Sequence, residues 1–169
     1  LFVNQTLSLF LPMPTTTGRF RWRIVALLFL ATTINYIDRQ VLSFTMTDDV
    51  FRKEMLDIAP NASLTKEAVD RFKILYGDVN AAFNFAYAIG FLFAGWLIDR
   101  IGTRRGFALG ILVWSSAAVL STFVQNMAGL RWMRILLGLG ESANFPSSVK
   151  TVAEWFPRRE RSFANGLFN

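Results

Sequence analysis

Four ionisable side chains stand inside otherwise apolar runs of this 169-residue chain: Asp38 and Arg39 side by side in NYIDRQ (35–40), and Arg134 and Glu141 at the two ends of RILLGLGE (134–141). A charge near the middle of a helix in lipid costs at least ~2.5 to 3.5 kcal/mol, so each of the four needs a partner or a task. On a helix, positions 134, 138, 141 and 145 share a face, so Arg134 and Glu141 project the same way with Gly138 between them. Two chemistries suit that set. Asp38 with Arg134, or Arg39 with Glu141, would make a buried structural bridge. Alternatively, the arginines hold an anionic ligand while a carboxylate takes and releases a proton. Burial and a neighbouring guanidinium act on a carboxylate in opposite senses, so occupancy of the site can decide its protonation.

Composition narrows the choice. The chain is 53% hydrophobic and 15% aromatic, with 17 Phe, which argues against a water-soluble domain. It has no Cys and no His, which removes disulfides, thiolate nucleophiles, the usual zinc sites and imidazole proton carriers, and leaves proton chemistry to Asp and Glu. No metal-ligand set and no cofactor motif is present. The net charge of +6 is read as cytoplasmic-side Lys and Arg of membrane spans, not as a nucleic-acid footprint.

The elements that must position the four charges are transmembrane helices. Residues 24–37 carry no charge, and continuing to Met46 gives 23 residues, roughly 35 Å as a helix. The predicted helices are about 23–46, 79–98, 106–126 and 128–150, with a fifth starting about 160. Ala82, Ala86, Gly90 and Ala94 place a small residue at every fourth position of the second span, which allows another helix close. The fold class expected is an all-α membrane protein with four complete spans and the start of a fifth. An external loop, 47–78, separates the first two spans and carries seven acidic and five basic residues. The other flanks are basic, with Arg19, Arg21 and Arg23, then Arg100, Arg104 and Arg105, then Arg158, Arg159 and Arg161. The positive-inside rule therefore puts the N-terminus in the cytoplasm and the acidic loop outside. The loop is read as a solvated spacer in preference to a lid, and NAS at 61–63 as a short glycosylation pattern of the kind that arises by chance.

Residues 1–20 are expected to form an N-terminal cytoplasmic segment, and 21–169 a partial transmembrane domain. The opening LFVNQTLSLFLPMP is too short and proline-broken to span, and lacks the basic start of a signal peptide. Because the sequence opens on Leu1 with a Met at position 13, residues 1–12 are expected not to be native. Trp22, Trp132 and Trp155 are read as interface anchors, and Phe83, Phe85, Phe91 and Phe93 as facing lipid or neighbouring helices. Pro146 is expected to kink the fourth span, and Lys150 to snorkel to the cytoplasmic surface.

A second constellation, GWLIDRIGTRRG (95–106), joins the second and third spans. Gly95 would allow close helix contact, Asp99 would accept from backbone donors at a neighbouring helix start, and Gly102 would permit a tight turn. Arg100, Arg104 and Arg105 would bind acidic partners or lipid head groups, or be no more than topology requires.

This loop resembles the signature loop of the major facilitator superfamily. INYIDRQ, RILLGLGESANFP and KTVAEWFPRRERSFANGLFN are in turn similar to the hexuronate and sugar-acid branch of its anion:cation symporter family, a resemblance running from about Arg21 to Asn169. The resemblance implies proton-linked roles for Asp38 and Glu141, hold of a substrate carboxylate by Arg39 and Arg134, and a lining role for Tyr36 and, less directly, Tyr87. It also implies twelve helices in two pseudo-symmetric halves, so this chain is expected to be an N-terminal fragment whose missing C-terminal half supplies the rest of the site. Its partners would be a small organic anion, protons and the lipid bilayer, in the bacterial inner (plasma) membrane.

The leading expectation is proton-coupled symport of a hexuronate or similar sugar acid by alternating access. Transport of another organic anion, or anion exchange without protons, uses the same arginines. A membrane-embedded enzyme with paired carboxylates is a remote reading, because neither charged helix shows a metal-ligand run or a nucleophile with a base. A non-transporting half-protein is another remote reading, separable by the coding sequence downstream of Asn169. The chain is therefore expected not to be an enzyme.

Overall fold

A computed structural model describes residues 18–168, and over these the chain is helical with no strand. The proposed non-native stretch 1–12 lies outside the described residues. Seven helices follow in order: α1 Phe20–Thr45, α2 Asp49–Met55, α3 Lys66–Ile101, α4 Thr103–Ser121, α5 Met127–Glu141, α6 Asn144–Trp155 and α7 Arg158–Phe168. Among them α1 and α3 are long and apolar enough to cross a membrane by length and composition.

The helix limits differ from the sequence expectation in ways that local chemistry explains. The helix expected at 79–98 begins at Lys66 and runs 36 residues, because the Thr65 hydroxyl caps it by accepting from the Ala68 N–H. Hydropathy marks only the part of lipid length; the polar first turns extend the same helix beyond it. The region 47–65 contains a second helix, α2, started by Asp48, whose carboxylate accepts from the N–H groups of Val50 and Phe51. Asp57 ends it in the left-handed region at φ 57°, and the Ile58 N–H bonds back to the Lys53 carbonyl at 2.8 Å. This loop is not a wholly solvated spacer. Met55 and Phe72 are buried against Leu42, Val79 and Leu130, and the Arg52 guanidinium donates to the Met46 carbonyl.

The helix expected at 128–150 is broken. It stops at Glu141, and α6 starts at Asn144. Pro146 has no N–H to offer the Ser142 carbonyl one turn back, and its ring crowds that carbonyl, so the break falls at 142–143 and not at the proline itself. The Ser142 hydroxyl, at the end of α5, donates to the Leu139 carbonyl three residues back.

α5 lies between α3 and α4, and glycine is what lets it in. A Cβ on Gly138 would come within 2.7 Å of the Phe83 carbonyl oxygen, and one on Gly140 within 2.5 Å of the Trp114 backbone nitrogen. Ala86 and Ala94 of the predicted small-residue stripe are buried, and Gly90 faces the Ser142 side chain. Gly95 does not make the expected close contact, since among the described residues nothing lies within 4 Å of a Cβ placed there. Gly102 does form the tight turn between α3 and α4, at φ 88°.

Three apolar clusters hold the bundle. Phe83, Trp114, Ala117 and Leu137 fill its middle, the Met55–Phe72 group closes one end, and Val25, Leu28, Val152, Phe156, Ala164 and Phe168 close the other. Trp22 belongs to this last cluster, edge-on to Phe156, while Trp132 is well exposed. Phe83 is buried between helices, whereas Phe85 and Phe93 are exposed.

Candidate functional site

The adjacent charges of NYIDRQ serve different neighbours. One residue step turns a helix by about 100°, so Asp38 and Arg39 leave α1 in different directions. Asp38 meets α4, where the Trp114 indole N–H donates to its Oδ2 at 2.5 Å. Arg39 meets the end of α5, where its Nε donates to Glu141 Oε2 at 2.8 Å.

The Glu141 side chain is 0% exposed, and the Arg39 side chain is 31% exposed. The guanidinium is also surrounded by rings, lying 4.6 Å from the Tyr87 centroid, 5.4 Å from that of Phe83 and 5.8 Å from that of Tyr36. Glu141 Oε1 is buried without a hydrogen-bond partner among the described residues. The pair therefore engages one oxygen of the carboxylate and leaves the other unbonded.

Beside this pair is a polar cavity of about 50 Å³. Asn35, Tyr36 and Arg39 reach it from α1 because spacings of three and four share one helix face. Tyr87 comes from α3, and Glu141 and Asn144 come from either side of the α5–α6 break. Tyr87 also lines an adjoining apolar opening of about 550 Å³, with Phe91 and Leu92.

The structure thus brings together Arg39, Glu141, Tyr36 and Tyr87 of the predicted site. It does not bring Asp38 or Arg134 to the cavity wall. Arg134 is 8% exposed and forms no ion pair among the described residues. Of the two bridges considered from sequence, the one between Arg39 and Glu141 is formed.

Sequence reasoning missed Asn35, Asn144 and Trp114. The two asparagines carried a readable signal, standing four residues before Arg39 and three after Glu141. Trp114 carried none, since it reaches Asp38 across 76 residues.

The signature loop lies at the far end of α3, twelve residues or roughly 18 Å beyond Tyr87. Asp99 does not accept from a neighbouring helix start as expected; it pairs with Lys150 of α6 at 2.6 Å. The Lys150 ammonium thus reaches an exposed carboxylate at the end of α3. The same end of the bundle carries an Arg21–Glu160 pair at 2.9 Å and a Thr103 hydroxyl donating to Glu154. Arg100 lies over the Trp96 ring. Gly102 turns the chain into α4, whose first turn holds Arg104 and Arg105.

Comparison with known proteins accords with this architecture. The sequence pattern of the Major Facilitator Superfamily matches residues 28–169. The chain is 38% identical over 155 residues to a probable galactarate/D-glucarate transporter of Bacillus subtilis, covering 88% of this chain and 30% of that protein. It is 35% identical over 155 residues to the probable galactarate/D-glucarate transporter of Escherichia coli, with 88% and 31% covered. It is 29% identical over 149 residues to the hexuronate transporter of Escherichia coli, again with 88% and 31% covered. The chain spans about a third or less of the length of these relatives, all of which are named as transporters and not as enzymes. The match over most of its length, on a bundle of helices joined by the signature loop, places this chain in the major facilitator superfamily.

Proposed function

We propose that the intact protein is a secondary transporter that imports a six-carbon sugar acid together with protons by alternating access. In this reading the chain contributes four spans, the stretches near 23–46, 79–98 within α3, 106–126, and 128–150 as the broken pair α5–α6, and the start of a fifth. The N-terminus is cytoplasmic, the acidic region 47–78 is external, and the C-terminal half completes the cavity in a bacterial inner membrane. The observation that carries the proposal is the Arg39–Glu141 ion pair at the wall of a polar cavity, with Glu141 wholly buried.

The pair supplies a coupling device from elementary electrostatics. Arg39 has one guanidinium and, once substrate enters, two carboxylates to satisfy. A substrate carboxylate that takes over Arg39 leaves Glu141 as a buried anion without its counter-charge, an arrangement that a proton resolves. Departure of the substrate returns Arg39 to Glu141 and expels the proton. Anion and proton then cross together. Asp38, held by Trp114, is the second proton-linked acid of the scheme, Arg134 a second cation for the substrate, and Tyr36 and Tyr87 frame the guanidinium.

Among sugar acids, galactarate and D-glucarate come first, because relatives at 38% and 35% identity are named for them; hexuronate follows at 29%. Exchange of another organic anion without protons is the competing reading, since Arg39 by itself recognises only a carboxylate. Uptake of labelled galactarate, D-glucarate and glucuronate into vesicles bearing the full-length protein, with and without an inward proton gradient, separates the two. Gradient-driven accumulation supports proton coupling; equal uptake with the gradient collapsed contradicts it.

A further inference from the structure

Two buried amides remain beside the Arg39–Glu141 pair. Asn35 is 4% exposed and Asn144 8% exposed, and both line the same polar cavity. The Asn35 amide nitrogen and the Asn144 amide oxygen have no hydrogen-bond partner among the described residues. Buried polar atoms are almost always bonded, so an unpartnered donor and an unpartnered acceptor on two residues that line one cavity next to a cation describe a ligand with complementary groups.

The complement is a hydroxyl. One O–H accepts from the Asn35 amide N–H and donates to the Asn144 carbonyl oxygen, satisfying both in a single contact. A second carboxylate would suit Asn35 but would face both the Asn144 oxygen and Glu141, and an apolar group would leave both amides unsatisfied. The cavity, at about 50 Å³, is short of a whole six-carbon acid and is filled by the end of one.

We infer that Asn35 and Asn144 read the hydroxyl next to the carboxylate that Arg39 holds, and so set the preference for hydroxylated over plain carboxylic acids. This rests on the sugar-acid transport reading above and adds the residues that choose the substrate. A site built to bond a hydroxyl rejects the analogue lacking it, because its own buried groups are then stranded.

Galactarate and adipate test it, being six-carbon dicarboxylic acids that differ only in the four hydroxyls. In proteoliposomes with the full-length transporter, each competes against labelled galactarate uptake. The wild type should prefer galactarate by at least about tenfold. Asn35→Leu and Asn144→Leu should each shrink that preference about tenfold, by weakening galactarate while leaving adipate unchanged. Equal weakening of both acids, or an unchanged ratio, overturns the inference. Asn35→Ala and Asn144→Ala give the same readout should a leucine variant fail to fold. A wild type that takes up no sugar acid sinks the transport reading; one that takes up galactarate but binds adipate equally well overturns this inference alone.

Discussion

Arg39 of α1 and Glu141 at the end of α5 are joined by a 2.8 Å hydrogen-bonded ion pair between residues 102 apart in sequence. A buried ion pair contributes little net stability, but breaking it from one side is costly, because it strands the remaining charge. Arg39→Ala should lower stability by about 2 kcal/mol, below the value for a fully enclosed pair because the arginine is partly exposed. Adding Glu141→Gln should restore much of the loss. Melting of the single and double variants in detergent checks this; additive losses would show that the pair does not couple the two residues.

Arg39→Lys keeps the charge and removes the planar fork. A lysine ammonium offers one point of contact where the guanidinium offers two parallel donors, and it stacks less well over the Tyr87 ring. Substrate half-saturation in vesicle uptake should rise roughly tenfold or more. A lysine variant with unaltered affinity would remove Arg39 from substrate binding.

Trp114 and Asp38 form the second polar link of the interior. A hydrogen bond to a charged group contributes about 1.5 to 3 kcal/mol, so Trp114→Phe should destabilise by about 2 kcal/mol or more, part of it from lost packing. In an Asp38→Asn background the same substitution should cost less. Thermal melts of the four proteins isolate the coupling, and a coupling energy near zero would show that Trp114 acts through packing alone.

Gly140 and Gly95 should respond oppositely to alanine. A methyl on Gly140 meets the Trp114 backbone and must push α5 from α4, at a cost of about 1 to 3 kcal/mol. At Gly95 it meets nothing among the described residues, and alanine should stabilise the helix by about 0.5 to 1 kcal/mol. Melting temperatures should move in opposite directions; a matching loss at Gly95 would mean that another helix packs there.

The region between α1 and α3 behaves as a folded cap in this account. Phe72 is 0% exposed, so Phe72→Ala should cost about 3 kcal/mol or more. Amide exchange at Leu56 and Ile58, both hydrogen-bonded at the end of α2, should be slow in the wild type and fast in the variant. Fast exchange in the wild type would restore the reading of this region as a solvated spacer.

The sequence made the charged site legible because charges in apolar runs are expensive and therefore few. Asp38, Arg39, Arg134 and Glu141 stood out on cost alone, and helical spacing made a contact between Arg39 and Glu141 one of two pairings to consider. What decided between the pairings was the rotation of α1 about its axis, which spreads adjacent residues to different neighbours and is set by packing far along the chain. For the same reason Trp114 was invisible as the partner of Asp38. Helix limits failed where hydropathy and hydrogen bonding part company, at the polar first turns of α3 and at the break four residues before Pro146. Gly95 shows the limit of reading a small residue as a contact: it marks where another helix could approach without saying which helix, if any, lies there.

The central claim is that Glu141 carries the coupling proton when substrate displaces it from Arg39. Glu141→Gln keeps the shape and a hydrogen-bond acceptor for Arg39 but cannot lose a proton. The decisive measurement compares, in vesicles bearing the full-length protein, uphill galactarate uptake driven by a pH gradient with one-for-one exchange of galactarate across the same membrane. Glu141→Gln should abolish uphill uptake and retain exchange; uphill uptake at the wild-type level would contradict a coupling role for Glu141.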